Sequence, residues 1–216
     1  MNPLRYFLFL TLNFLAFNGN AQNFKVIEET KDYILKECDS GYYYSHGLPP
    51  KDDFVIDTTK IHKVNGVLKL PLDNGKEVVF RDEGNEPNYM IRKNSYGGKN
   101  RKWNYFLVNS NFYDEGGFSL LINSKNGATD TVFDKPVFSP NAIHYGYDYS
   151  SYMGGDIYVC YKNLNQNKAY KILMEDLAPM NIKWLNDYSF IFIGNLPDFM
   201  VTKYKHKKYY LVQIKQ

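Results

Sequence analysis

The sequence predicts an all-β protein, built as a propeller-like array of about four antiparallel hairpin or blade units. Three observations point there. The chain is rich in strand-favouring aromatics, with 20 Tyr and 15 Phe among 216 residues. Aromatic and β-branched residues fit a pleated, half-buried surface, whereas Gly, Asn and Asp supply the turns between strands. Short apolar runs are joined by Asn- and Gly-containing turns. These hairpins begin near Gly66, Gly117 and Gly155, a recurrence of roughly 40 to 50 residues that matches a four-stranded propeller blade.

Each hairpin can be justified in turn. Val67 to Leu70, the turn Asp73-Asn74-Gly75-Lys76 and Glu77 to Arg81 form the strongest. Asn-Gly between two alternating runs is a direct tight-turn signal. Phe118 to Ile122 turns through Ser124-Lys125-Asn126-Gly127 into Thr129 to Phe133. Asp156 to Tyr161 turns through Asn163 to Asn167 into Lys168 to Leu173. Further strands are expected at Tyr105 to Asn109, Ala142 to Tyr147, Ser189 to Gly194, Met200 to Tyr204 and Tyr209 to Ile214. Lys25 to Glu37 fits helix or strand equally, since no Pro or Gly arbitrates. A closed ring, an open blade array and a sandwich of the same hairpins all satisfy this pattern.

The N-terminus predicts export. Arg5 supplies a positive start, Tyr6 to Phe17 is apolar apart from Thr11 and Asn13, and Gly19 and Ala21 place small residues at a cleavage site. That order is a secretory signal peptide, and the apolar run is too short for the roughly 20 residues a membrane helix needs. The expected organisation is a signal peptide over residues 1–21 and one all-β domain over 22–216. Removing 21 of 216 residues leaves 195, and losing Arg5 takes the formal charge from +3 to +2. Without a strong basic balance there is no electrostatic case for nucleic acid. No second long apolar run follows, so no stable membrane insertion is expected after cleavage.

Cys38 and Cys160 lie 122 positions apart. In an oxidising compartment they are a candidate disulfide, which would stabilise by about 4 to 5 kcal/mol in the chain-entropy model. Two separately buried thiols fit the sequence as well.

Phrases between the hairpins carry a resemblance. Phe138-Ser139-Pro140-Asn141 precedes a strand, and Ile157-Tyr158-Val159 is followed across a turn by Tyr170-Lys171-Ile172. On these residues the stretch 105–194 resembles the irregular bacterial β-propellers of the TolB and WD-repeat kind, which implies a blade array. The repeats depart from it in their unequal length and in lacking a Trp-Asp dipeptide. With Gly66 to Asp82 near its middle, the whole chain is also similar to secreted bacterial proteins, a resemblance that implies no activity.

Catalytic motifs are sparse. His46, His62, His144 and His206 form no His-x-x-x-His pair, and no Cys-x-x-Cys occurs, so neither a zinc site nor another metal is expected. There is no nucleophile elbow, phosphate loop or dinucleotide fingerprint, so no cofactor is expected. Asp52-Asp53 and Asp114-Glu115 are acidic pairs of the kind that solvate turns or act as glycosidase carboxylates. One segment stands out, Ile143 to Asp156. As a strand it projects Tyr145, Tyr147 and Tyr149 to one side and His144 and Asp148 to the other. Beside Gly154-Gly155, Tyr145, Tyr147, Tyr149 and Tyr152 are candidate ligand-binding residues, at least two of them expected to be exposed. Tyr suits stacking on sugars or anchoring a protein; the competing role is packing between sheets. Tyr42 to Gly47 is a weaker cluster of the same kind.

These readings predict an exported, periplasmic or extracellular, non-enzymatic binding module whose partner is a protein or glycan of the cell envelope. The alternative is a glycan hydrolase or lyase using loop carboxylates. Mass spectrometry of the exported protein should find Gln22 at the N-terminus; an intact Met1 would overturn the signal-peptide reading.

Overall fold

The computed structural model describes residues 24–47, 53–84, 92–112, 116–149, 156–174, 177–195 and 207–216. Residues 1–21, expected as a signal peptide, Tyr152 and the expected strand Met200 to Tyr204 lie outside them. Of the described residues, 62% are strand and 4% helix.

The ambiguous Lys25 to Glu37 segment is a hairpin of β1 (Lys25–Glu29) and β2 (Tyr33–Cys38). Burial decides it: Tyr33 and Leu35 point inward at a spacing of two, the strand period. Thr30 tightens the turn, its hydroxyl accepting the Asp32 and Tyr33 N–H at 3.2 and 3.0 Å. A short helix, α1 (Ser40–Ser45), follows, capped by the Asp39 carboxylate, which accepts the Tyr42 N–H at 2.7 Å. Next come β3 (Phe54–Val55), β4 (Lys63–Val64), β5 (Val67–Pro71) and β6 (Glu77–Arg81). The Asn74-Gly75 turn joins β5 to β6, with Gly75 at φ +79°.

β7 (Arg92–Asn100), β8 (Tyr105–Phe112), β9 (Gly116–Asn123) and β10 (Thr129–Val132) continue the chain. They are followed by β11 (Val137–Phe138), β12 (His144–Tyr149), β13 (Tyr158–Asn163) and β14 (Lys168–Leu173). The last three are β15 (Ala178–Asn186), β16 (Ser189–Asn195) and β17 (Lys208–Ile214).

These strands make four antiparallel sheets, none closed on itself. The first is β4-β5-β6, the second β10-β9-β8-β7-β3 and the third β11-β12-β13-β14; the terminal sheet is β1-β2-β17-β16-β15. The chain's two ends therefore meet in one sheet, where β2 pairs with β17 from Tyr209↔Cys38 to Ile214↔Tyr33.

The sheets stack through separate apolar layers. Leu68 and Leu70 of the first sheet meet Phe106, Val108 and Ile122 of the second. Leu107 and Leu121, on the opposite face of the second sheet, meet Tyr145, Tyr147 and Cys160 of the third. Val159 and Tyr161, on the third sheet's other face, meet Phe190, Phe192 and Tyr210 of the terminal sheet. Ile191, Ile193 and Leu211 turn the other way and are covered by Tyr43 of α1. Burial patterns record the order: β13 and β16 are buried at nearly every position, whereas β6 alternates exposed and half-buried. Among the described residues no apolar cluster joins the first sheet to the terminal one.

Of the two readings left open for Cys38 and Cys160, a disulfide or separate thiols, the structure holds the second. Cys38 and Cys160 are free, buried thiols. Cys38 sits on the terminal sheet opposite Tyr209, whereas Cys160 faces the second sheet from β13. Burial, with Asp39 and Glu37 adding to it, pushes the Cys38 thiol up to about 12, leaving it protonated and inert.

Gly75→Val places a β-branched side chain in the left-handed region. It should lower unfolding free energy by about 1 kcal/mol or more, read as a shifted denaturant midpoint; an unchanged midpoint would contradict the turn.

Candidate functional site

The tyrosine ladder does not form an exposed binding face. Tyr145 and Tyr147 are 1% and 6% exposed, so neither is one of the two or more exposed rings expected among Tyr145, Tyr147, Tyr149 and Tyr152. They do project to one side, as alternation demands, but that side packs on the second sheet. The Tyr145 ring lies 5.9 Å from Phe138, and its hydroxyl bonds the Asp130 carboxylate, which also pairs with Lys162. The Tyr147 hydroxyl bonds the Cys160 thiol. Tyr149 is half-buried, 4.8 Å from both Phe133 and Tyr158. The physical reason is position: β12 is an inner strand between two layers, so its aromatics are consumed by packing.

A different site emerges where the second, third and terminal sheets converge near α1. Trp103, Phe138, Ser139, Lys183 and Trp184 line a pocket of about 210 Å³, with Lys102, His46 and Asp53 at its rim. The chain has only two tryptophans, and both reach this pocket from positions far apart in sequence. Trp184 is held by its Nε1–H, which donates to the Val137 carbonyl at 2.8 Å, and by near-parallel stacking on His144 at 5.8 Å. Trp103 sits in the β7–β8 turn, its N–H donating to Asn100 Oδ1 at 3.0 Å, with the Lys102 ammonium 4.4 Å from its ring centre.

Lys183 is buried without a carboxylate partner among the described residues. Its ammonium donates to the carbonyls of Tyr43 and Gly47 and lies 3.6 Å from the Tyr43 ring centre. Burial pulls its pKa below the usual lysine value. The residue pins α1 to β15, and the segment Tyr42 to Gly47 thereby delivers His46 to the rim. Of that weaker cluster, Tyr43 serves packing, with its hydroxyl donating to the Asn181 carbonyl at 2.9 Å, while Tyr44 is exposed.

Beneath the pocket Ser139, His144 and Asp187 come together, but not as a nucleophile and base. Ser139 Oγ accepts the backbone N–H of His144 at 3.1 Å and bonds the Asp187 carboxylate. The His144 ring donates from Nδ1 to the Asp187 carbonyl at 2.8 Å. Its Nε2 is buried without a hydrogen-bond partner. An activated serine needs its hydroxyl within reach of the imidazole nitrogen; here the hydroxyl serves the carboxylate instead. The Asp187 carboxylate also accepts Asn141 N–H and Nδ2–H at 2.9 and 2.6 Å. The network thus clamps the turn before β12 to the β15–β16 turn and fixes Trp184 between them.

No family model, curated protein or solved structure matches the chain. Sequence reasoning missed Trp103, Trp184 and Lys183, because nothing local marks residues that meet only through three sheets.

Burial raises the Asp187 carboxyl, but the bonds from Asn141 and Ser139 and the nearby His144 outweigh it, holding the group below the usual aspartate value. A depressed carboxyl adds stability above its unfolded value, which is lost as pH falls through the folded value. Asp187→Asn should therefore cost about 1 to 3 kcal/mol at neutral pH and shrink the loss of stability below pH ~4. An identical acid limb in wild type and variant would refute this role.

Proposed function

We propose that this protein is an exported, non-enzymatic binding module that holds a glycan of the cell envelope in the two-tryptophan pocket. Its scaffold is an open, propeller-like array of four blades. Two features support that scaffold. Apart from β3, which precedes the first sheet in sequence but edges the second, successive sheets follow one another in chain order, and the N-terminal strands complete the last sheet. The array is open because α1 covers the outer face of the terminal sheet, and the first sheet turns Lys69 and Val79 outward to solvent.

The convergence of Trp103 and Trp184 carries the functional reading. Indole faces suit the apolar face of a sugar ring. Asp53, His46 and Lys102 at the rim supply acceptors and donors for hydroxyl groups. Asp53 is the only carboxylate among the described lining residues, whereas glycoside hydrolysis uses two, about 5 to 10 Å apart. That favours binding over cleavage.

The hydrolase reading rests on one observation. Burial, and secondarily Asp134, raises the Asp148 carboxyl to about 7, a value suited to a general acid. Asp148 lies four residues along β12 from His144, about 13 Å at strand rise, and so away from the pocket beside His144. An acid there would not reach a sugar stacked on Trp184.

Because both tryptophans line the pocket, intrinsic fluorescence reports its occupancy. Titrating residues 22–216 with chitotetraose, cellotetraose and a muropeptide should give a saturable emission change with at least one. Trp103→Ala should weaken that binding by about tenfold or more, the scale of a lost aromatic anchor, while folding is retained. No emission change with any glycan, or unaltered affinity in the variant, would overturn the proposal.

A further inference from the structure

A second cleft, of about 500 Å³, lies between the first and second sheets. Its floor is apolar: Ile61, Leu72 and Phe106 are 7%, 8% and 2% exposed. A β-bulge builds its wall. Tyr96 pairs with Val108 and Gly98 with Leu107, leaving Gly97 as an extra residue in β7. Strict alternation would put Tyr96 and Lys99 on opposite faces, but the inserted residue turns both into the cleft. Gly98, at φ +119°, lets β3 approach: a Cβ there would lie 3.1 Å from the Phe54 backbone.

The charges at the rim are unevenly spent. Asp57 accepts the Thr59 N–H at 3.1 Å and the Thr59 hydroxyl at 2.5 Å. Asp73 accepts the Ser124 hydroxyl at 2.6 Å and pairs with Lys99 at 3.6 Å. Lys99 also lies 4.7 Å from the Phe106 ring centre. Both carboxylates and one cation are thus engaged internally. Lys60 and Arg101 line the same cleft and make no hydrogen bond or ion pair within 4 Å to a described residue, though the Asp57 carboxylate acts on both through space.

We propose that this cleft binds a ring-sized molecule carrying a carboxylate or phosphate, with the anionic group between Lys60 and Arg101 and the ring against the apolar floor at Ile61 and Leu72. Arg101 offers a planar fork that matches either oxyanion. The Tyr96 hydroxyl supplies a third donor. The site is distinct from the tryptophan pocket and does not depend on the glycan reading there.

The test is calorimetric titration of residues 22–216 with glucuronate, glucose 6-phosphate, glucose and inorganic phosphate. At least one of the two charged sugars should bind, glucose should not, and inorganic phosphate should bind at least tenfold more weakly than glucose 6-phosphate if the latter is the ligand. Which charged sugar binds distinguishes a carboxylate from a phosphate source. Lys60→Ala and Arg101→Ala, both at exposed positions, should each cost about tenfold or more, the scale of a charge-assisted hydrogen bond. Tyr96→Phe should weaken binding while leaving the ring in place. Trp184→Ala, on β15 and outside the turn that carries Arg101, should leave this binding intact, which separates the site from the tryptophan pocket. Equal binding of glucose, equal binding of inorganic phosphate and glucose 6-phosphate, survival of affinity in the Lys60/Arg101 double variant, or no binding of either charged sugar would each overturn the proposal.

Discussion

Strand β16 must be buried on both faces, and the architecture follows from satisfying that demand. Phe190 and Phe192 point toward the third sheet, while Ile191 and Ile193 point toward α1. Fully burying a large apolar side chain contributes roughly 1.5 to 3 kcal/mol, so neither face can be left wet. The third sheet covers one side. On the other, a helix of six residues does the work of a whole sheet, because Tyr43 supplies a ring large enough to cover Ile191 and Leu211. The ammonium of Lys183 then holds that helix down through two carbonyls and the Tyr43 ring. The first sheet, at the opposite end of the stack, has no such cover among the described residues, and its outer face is accordingly charged and alternating.

The same demand explains why so many tyrosines serve packing. Tyrosine fills an inter-sheet layer as phenylalanine does, but its hydroxyl needs a partner there. The Tyr33 hydroxyl donates to Glu28 at 2.9 Å and that of Tyr43 to the Asn181 carbonyl. Tyr145 uses Asp130 and Tyr147 uses Cys160. Leaving such a group unpaired costs about 1 to 3 kcal/mol, so these bonds also fix how neighbouring layers register. Tyr161 is the exception, its hydroxyl buried without a partner while its ring stacks on Tyr170 at 4.8 Å.

What was legible in the sequence was local. Asn74-Gly75, Asn126-Gly127 and Asn163 to Asn167 each mark a hairpin found in the structure, because turn chemistry acts within four residues. β7 escaped notice because Arg-Lys-Asn-Ser-Tyr-Gly-Gly-Lys-Asn reads as loop. It forms a strand because its neighbour β8 is apolar and pairs with it from Arg92↔Phe112 to Asn100↔Tyr105, with the Asn94 Nδ2–H donating to the Arg81 carbonyl at 2.8 Å. Tyr density pointed to β12 as a surface because nothing in one strand tells whether both its faces will be covered. The tryptophan pocket was invisible for the complementary reason, since its residues come from three sheets.

The two clefts share one structural part. Arg101, Lys102, Trp103 and Asn104 form the β7–β8 turn; Arg101 and Asn104 line the cation-rimmed cleft, while Lys102 and Trp103 line the tryptophan pocket. Four consecutive residues therefore face two different cavities, which demands a backbone that cannot rotate freely. Asn104 adopts a left-handed φ of +58°, which reverses the chain within the turn. Its carbonyl accepts the Ser124 N–H at 2.8 Å from the neighbouring hairpin, while Asn100 Oδ1 holds the Trp103 N–H. Ser124 in turn donates its hydroxyl to Asp73 on the rim of the first cleft. The Trp103 ring and the Arg101 fork are thus oriented by one hydrogen-bonded unit spanning two sheets. A ligand meeting either would meet a group already placed, and so would not pay the ordering entropy that a free loop imposes on binding.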